Sequence, residues 1–198
     1  MADAALPLDD DMEKRRYTYA DYLDWDGPER FQILEGEIFM MASPTVNRQA
    51  VSMELAGQIR DFLRGKPCRV FAAPLDVRLF PREDQSDDTV VQPDILVVCD
   101  PARLGRNSVN GPPDLVVEIN SPSNTTGEMF RKFQLYLEAG VREYWIVVPE
   151  LKQVQVHVLE EGRYLSSLYH EDAPVPVTVL PPLSIDLKAL WAEGEGSP

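Results

Sequence analysis

The chain is poor in the side chains that simple catalytic and metal centres draw on: its 198 residues contain two histidines and two cysteines. With only His157 and His170 available, a histidine-based triad and a zinc site of the His-Glu-X-X-His kind both lack material. Cys68 and Cys99 lie far apart in apolar surroundings, which argues against a disulfide framework and for inert core thiols in a reducing, cytoplasmic protein. There is no run of about eighteen apolar residues, and Met1–Arg16 is acidic and then basic without an apolar stretch. Neither a membrane span nor an export signal is expected. Basic charge is scarce as well, with 19 Lys and Arg against 33 Asp and Glu and a net charge of −14. Such a balance argues against a broad phosphate-binding face, which works by releasing counterions to Lys and Arg. The acid is concentrated at Asp9–Asp11, Asp84–Asp88 and Glu193–Glu195, which read as solvated loops or ends that need face no ligand. Phosphate loops of the Gly-X-X-X-X-Gly-Lys-Ser/Thr type, Gly-X-Gly-X-X-Gly turns and Gly-X-Ser-X-Gly elbows are all missing.

What is present is an alternation of short apolar runs with capping and turn signals. Thr18 and Asp21 start a short helix within Tyr17–Trp25, and Phe31–Ala42 reads as a hairpin turning at Glu35-Gly36. Val46–Leu63, closed by Gly65, is predicted to be a long helix whose Ala50, Met53, Ile59 and Leu63 help cover one sheet face. Arg69–Phe80 reads as a strand run antiparallel to the one after Asp94, and Pro101–Pro113 as a loop. Thr125 and Glu128 form the start signal of a helix ending at Gly140, with Met129, Phe133 and Leu137 on one stripe and Lys132 and Tyr136 on another. Val141–Val148 follows as a strand, and Val154–Leu159 with Arg163–His170 as a hairpin. Pro174–Pro182 suits an edge strand whose Val175–Val179 would be free to pair with a second copy as a homodimer or higher homo-oligomer, and Ile185–Trp191 reads as a final helix. The pattern predicts an α/β (α+β) fold: a mixed β-sheet flanked by helices, with an N-terminal hairpin and additional C-terminal strands. One domain is expected over 17–191, between a tail at 1–16 and an acidic tail at 192–198.

The anomaly lies in Val90–Glu150, where carboxylates interrupt buried strands. Asp94 opens the run Ile95-Leu96-Val97-Val98, and Glu118 sits near the end of Asp114-Leu115-Val116-Val117-Glu118-Ile119-Asn120. Period-two geometry puts Asp114, Val116, Glu118 and Asn120 on one face. Desolvating an unpaired carboxylate costs several kcal/mol, so each needs a cation. Two converging carboxylates repel unless a positive charge lies between them, and hard oxygen donors favour Mg2+ or Mn2+. Removing one carboxylate should then relieve repulsion and raise the melting temperature of the metal-free protein. Simpler roles exist for each residue: Asp94 capping the turn after Pro93, Glu118 pairing a buried arginine, and Lys132 pairing Glu128 one helical turn away.

Pro93-Asp94, Glu118-Ile119-Asn120 and Lys132 together resemble the PD-(D/E)XK nuclease superfamily. With Ser121-Pro122-Ser123, Tyr136, Ala139-Gly140-Val141 and Glu143-Tyr144-Trp145 in the same order, the chain resembles the Uma-two restriction endonuclease family from about Tyr17 to Leu190. The resemblance implies a restriction-endonuclease-like fold and a divalent-metal-dependent endonuclease acting on nucleic acid, with DNA the expected substrate. It also implies that Asp94, Glu118 and the Ile119 carbonyl hold Mg2+ or Mn2+ while Lys132 acts beside the attacking water. Glu35, preferred over Glu37, matches a further acidic position in the first hairpin. Two departures stand out: Asn120 where the superfamily pattern has lysine, and Asn47 near a histidine position after the Ser-Pro pair. The alternative is a nuclease fold retained as an inactive binding or assembly module.

Overall fold

The computed structural model describes residues 15–120, 125–171 and 173–194. Most of both expected tails and the loop Ser121–Asn124 lie outside these ranges. Helix α1 (Tyr19–Leu23) begins at Thr18, whose hydroxyl accepts the Asp21 N–H while the Asp21 carboxylate accepts the Thr18 N–H, a reciprocal cap. Strands β1 (Phe31–Leu34) and β2 (Glu37–Met40) form the first hairpin. Its two turn residues have positive φ, +50° at Glu35 and +80° at Gly36, the twist that a two-residue hairpin connection needs.

The long helix α2 (Val46–Leu63) buries Val51, Leu55, Ile59 and Leu63, a strict every-fourth-residue stripe. Met53, expected on that stripe, is 64% exposed. Beyond it run β3 (Arg69–Ala72), β4 (Asp76–Arg78), β5 (Val90–Val91) and β6 (Ile95–Val98). The segment read as a loop at Pro101–Pro113 contains β7 (Ser108–Asn110), which pairs parallel with β4. Three residues among Gly, Asn and Pro are too few to show a period. Asp87, assigned to a solvated acidic loop, is 1% exposed and is ion-paired to Arg78.

Next come β8 (Leu115–Ile119), α3 (Thr126–Ala139), β9 (Glu143–Val148), and the hairpin β10 (Gln153–Glu160) with β11 (Arg163–His170). The chain closes with β12 (Val175–Pro176), β13 (Ser184–Ile185) and α4 (Leu187–Gly194), which continues past the expected end at Trp191. One mixed sheet has the order β11-β10-β9-β8-β6-β3, and a second has the order β2-β1-β5-β4-β7. Within the first, β8 and β9 are parallel neighbours and α3 is their crossover; the other pairs are antiparallel.

Side-chain alternation then divides the core. Ile95, Val97, Leu115, Val117 and Ile119 pack with α2 and α4, while Leu96, Val98, Val116 and Tyr144 pack with α3 and with residues of the second sheet. Val175 and Val177 are 0% and 1% exposed and belong to the first of these clusters. The valines of the expected edge are therefore core residues, while Pro176 and Thr178 beside them are exposed in a sheet of two strands, β12 and β13. Glu143 is fully buried, accepting hydrogen bonds from the Trp145 indole N–H and the Val179 backbone N–H, each at 2.8 Å.

Cys68 and Cys99 form a disulfide, correcting the expectation of separate core thiols. The β3–β6 register pairs Arg69 with Val98, and one step further places Cys68 opposite Cys99. That pairing was hidden by 31 residues of sequence separation. It removes the ground on which a reducing, cytoplasmic setting was expected. Among the described residues no helix is long and apolar enough to cross a membrane.

Candidate metal and catalytic site

Antiparallel β6 and β8 pair Ile95 with Val117 and Leu96 with Val116. Continuing that register by one residue sets Asp94 opposite Glu118 on the face that looks towards α3. Opposed residues on one face of a sheet have Cβ atoms about 5 Å apart, so like charges there repel. Glu118 accordingly has its pKa raised, first by burial and further by the Asp94 charge, against the opposing pull of Lys132 and Tyr136.

Each carboxylate has its own cation. Lys132 donates to a Glu118 oxygen at 2.9 Å, and the Tyr136 hydroxyl donates to the same oxygen at 2.6 Å. Lys132, Leu135 and Tyr136 are the buried residues of α3, at the spacing of one helical stripe. The stripe of Met129 and Phe133 packs only partly buried beside them. Helix spacing therefore carries Lys132 to Glu118 rather than to Glu128. Asp94 is held by Arg48, whose Nη2 lies 2.8 and 2.7 Å from its two oxygens and whose Nε lies 3.1 Å from one of them. The Ile119 backbone N–H adds a fourth contact at 2.7 Å.

A small cavity opens on Glu118, Ile119, Asn120, Glu128, Met129 and Lys132. A neighbouring one, of about 60 Å3, is lined by Gln32, Arg48, Glu128 and Lys132. Two side-chain oxygens at these cavities, Asn120 Oδ1 and Gln32 Oε1, are buried without a hydrogen-bond partner among the described residues. Gln32 uses its amide nitrogen on Glu128 at 2.7 Å. The Asn120 oxygen, a buried carbonyl without a donor that shares a cavity with Glu118, makes with the opposed carboxylates a donor set that fits a hard divalent cation. The fit is incomplete in two respects: both Asp94 oxygens are occupied by Arg48, and among the described residues no three His, Cys, Asp or Glu side chains cluster as a metal cage.

The fold thus brings together Asp94, Glu118, Ile119 and Lys132 from the expected set. It does not bring in Glu35, which is exposed in the hairpin turn with its charge acting on Arg131, the ion-pair partner of Glu37. The carboxylate that does share the Glu118 cavity is Glu128. Asn120, standing where the superfamily pattern has lysine, borders the same cavity. Asn47 was read as a departure from a family histidine position; the contact from α2 to Asp94 is made by its neighbour Arg48. Sequence spacing held no sign of Arg48 or Gln32, since each meets its partner across more than forty positions.

Comparison with known proteins bears on the family and the fold. The sequence model of the Uma2 family, described as putative restriction endonuclease, matches residues 19–188. A solved structure described as a putative nuclease belonging to DUF820, from Anabaena variabilis, superposes with a TM-score of 0.72 at 21% identity, over 90% of this chain and 99% of that one. Among curated proteins, the uncharacterized protein slr1290 of Synechocystis is 25% identical over 130 residues, 65% of this chain. The match spans 66% of that relative, just under two thirds of its length.

Proposed function

This chain belongs to the Uma2 family, and from that premise we propose that it is a divalent-metal-dependent endonuclease hydrolysing phosphodiester bonds, with DNA as substrate. The observation that carries the proposal is Asp94 opposite Glu118 on one face, with Glu118 lining a cavity shared with the buried Lys132. Asp94, Glu118 and the Asn120 side-chain oxygen would hold Mg2+ or Mn2+, with the Ile119 carbonyl as the further oxygen the family resemblance implies. When bound, such an ion supplies Lewis-acid polarisation of the phosphoryl group and lowers the pKa of water.

The protein's own residues do the rest. Lys132, 5% exposed, holds its Nζ against Glu118 and at the cavity wall, where it can orient the attacking water and stabilise charge on the phosphoryl oxygens. Tyr136 fixes the Glu118 carboxylate through its hydroxyl, and the Ile119 N–H fixes Asp94. Burial of this wall keeps bulk water from screening these charges.

A plasmid-nicking assay tests the reading. Cleavage should require Mg2+ or Mn2+, stop with EDTA, and be lost in Asp94→Asn, Glu118→Gln and Lys132→Met. The ion pairing of both carboxylates favours one rival, a nuclease fold that holds nucleic acid without cutting it. Metal-independent DNA binding with no cleavage at any metal concentration would establish that rival.

A further inference from the structure

Arg48 occupies an unusual position. It is the third residue of α2, and its backbone N–H donates to the helix-capping Thr45 hydroxyl at 3.2 Å. A cation in the first turn opposes the helix dipole, which favours negative charge there. The first turn of α2 has no acidic residue to offset it. What holds Arg48 is Asp94, through a two-pronged contact with side chains only 16% and 11% exposed. The pairing satisfies Asp94 with the geometry that a guanidinium offers best, and it uses the oxygens a metal ion would need.

A second seat lies beside the first. The cavity of about 60 Å3 next to Arg48 also contains Glu128 and Gln32. Gln32 is 2% exposed and its Oε1 is a buried acceptor with no donor among the described residues. An amide oxygen left in that state within reach of a cavity-lining guanidinium is a ready acceptor for it.

We infer that Arg48 is a built-in competitor of the metal: it holds Asp94 in the metal-free protein and moves to Gln32 Oε1 and Glu128 when a divalent ion takes Asp94. The inference rests on the metal reading above and adds what sets the affinity of that site. The work of freeing Asp94 from Arg48 is subtracted from metal binding, while the Gln32 seat returns part of it.

Calorimetric titration with Mn2+ tests this in the full-length protein, because the two substitutions have opposite signs. Arg48→Met should bind Mn2+ about tenfold more tightly than wild type, the effect of removing a competing pair worth about 1.4 kcal/mol. Gln32→Leu, which removes the second seat, should bind it several-fold more weakly. Arg48→Lys, which keeps the charge but loses the fork, should fall between wild type and Arg48→Met, and it decides the matter should the methionine variant fail to fold. Unchanged or weaker Mn2+ binding in a folded Arg48→Met or Arg48→Lys overturns the competition, and unchanged binding in Gln32→Leu overturns the second seat. If wild type and both Arg48 variants all fail to bind Mn2+, the metal reading itself falls. If wild type binds Mn2+ and the Arg48 variants bind it equally well, only the present inference does.

Discussion

Lys132 Nζ lies 2.9 Å from Glu118 Oε1, a buried ion pair formed between a crossover helix and the first of the two parallel strands it connects. Breaking one side of such a pair leaves an uncompensated charge. Lys132→Met should therefore cost on the order of 3 kcal/mol in urea denaturation as well as abolishing cleavage. Tyr136→Phe removes only the hydroxyl donor to the same oxygen, and about 1.5 kcal/mol is expected for a hydrogen bond to a charged acceptor. A Lys132→Met protein as stable as wild type would show that Glu118 is carried protonated.

The sign of the Asp94 effect follows from Arg48. If the two carboxylates only repelled each other, as the sequence suggests, Asp94→Asn would stabilise the metal-free protein. With Asp94 held by Arg48, the same substitution weakens a buried two-pronged ion pair. Thermal melting in EDTA should show a lower, not a higher, transition temperature for Asp94→Asn.

Cys68 and Cys99 join β3 to β6, the strand that leads out of Asp94. By loop-closure entropy alone, a crosslink closing a loop of this length stabilises by roughly 3–4 kcal/mol. The Cys68→Ser/Cys99→Ser protein should lose stability of that order in urea, and thiol titration of the denatured wild type before reduction should find no free thiols.

His157 supplies a pH dependence of stability that does not involve Asp94 or Glu118. It is 6% exposed beside the rings of Phe133, Tyr144 and Tyr164, with Ser166 Oγ at 2.7 Å from Nδ1 and no partner on Nε2 among the described residues. Burial lowers its pKa, so between the folded and unfolded values the unfolded chain carries a proton that the native protein lacks. Stability therefore rises with pH through that window and is lost on acidification below about 6.5. Urea midpoints across this range should show the trend, and His157→Phe should flatten it.

Much of this arrangement was legible from local rules. Period two placed Glu118 with Asp114 and Val116 on one face, helix spacing put Lys132 in line with Tyr136, and caps fixed the starts of α1 and α3. Long-range pairing was not legible. Nothing in the spacing of Arg48 and Asp94, Gln32 and Glu128, or Cys68 and Cys99 records that sheet register makes them neighbours. Exposed Met53 and buried Asp87 fail in the same way, because composition gives a residue's preference while its surroundings are set by distant chain. Glu35 stays exposed in the hairpin turn with its charge acting on Arg131, while the carboxylate that shares the Glu118 cavity is Glu128, from a helix whose approach spacing does not announce.

The fully enclosed Glu143 has a consequence for how far the chain can be shortened. Its carboxylate is stitched by Val179, from a stretch that comes after the last hairpin and long after every residue of the site. Trimming the protein back to a minimal core at His170 would leave that acid facing an opened interior and would unroof Val154 and Val156. The C-terminal segment is thus the floor of the sheet rather than an accessory, and the strands that carry Asp94 and Glu118 cannot be separated from it.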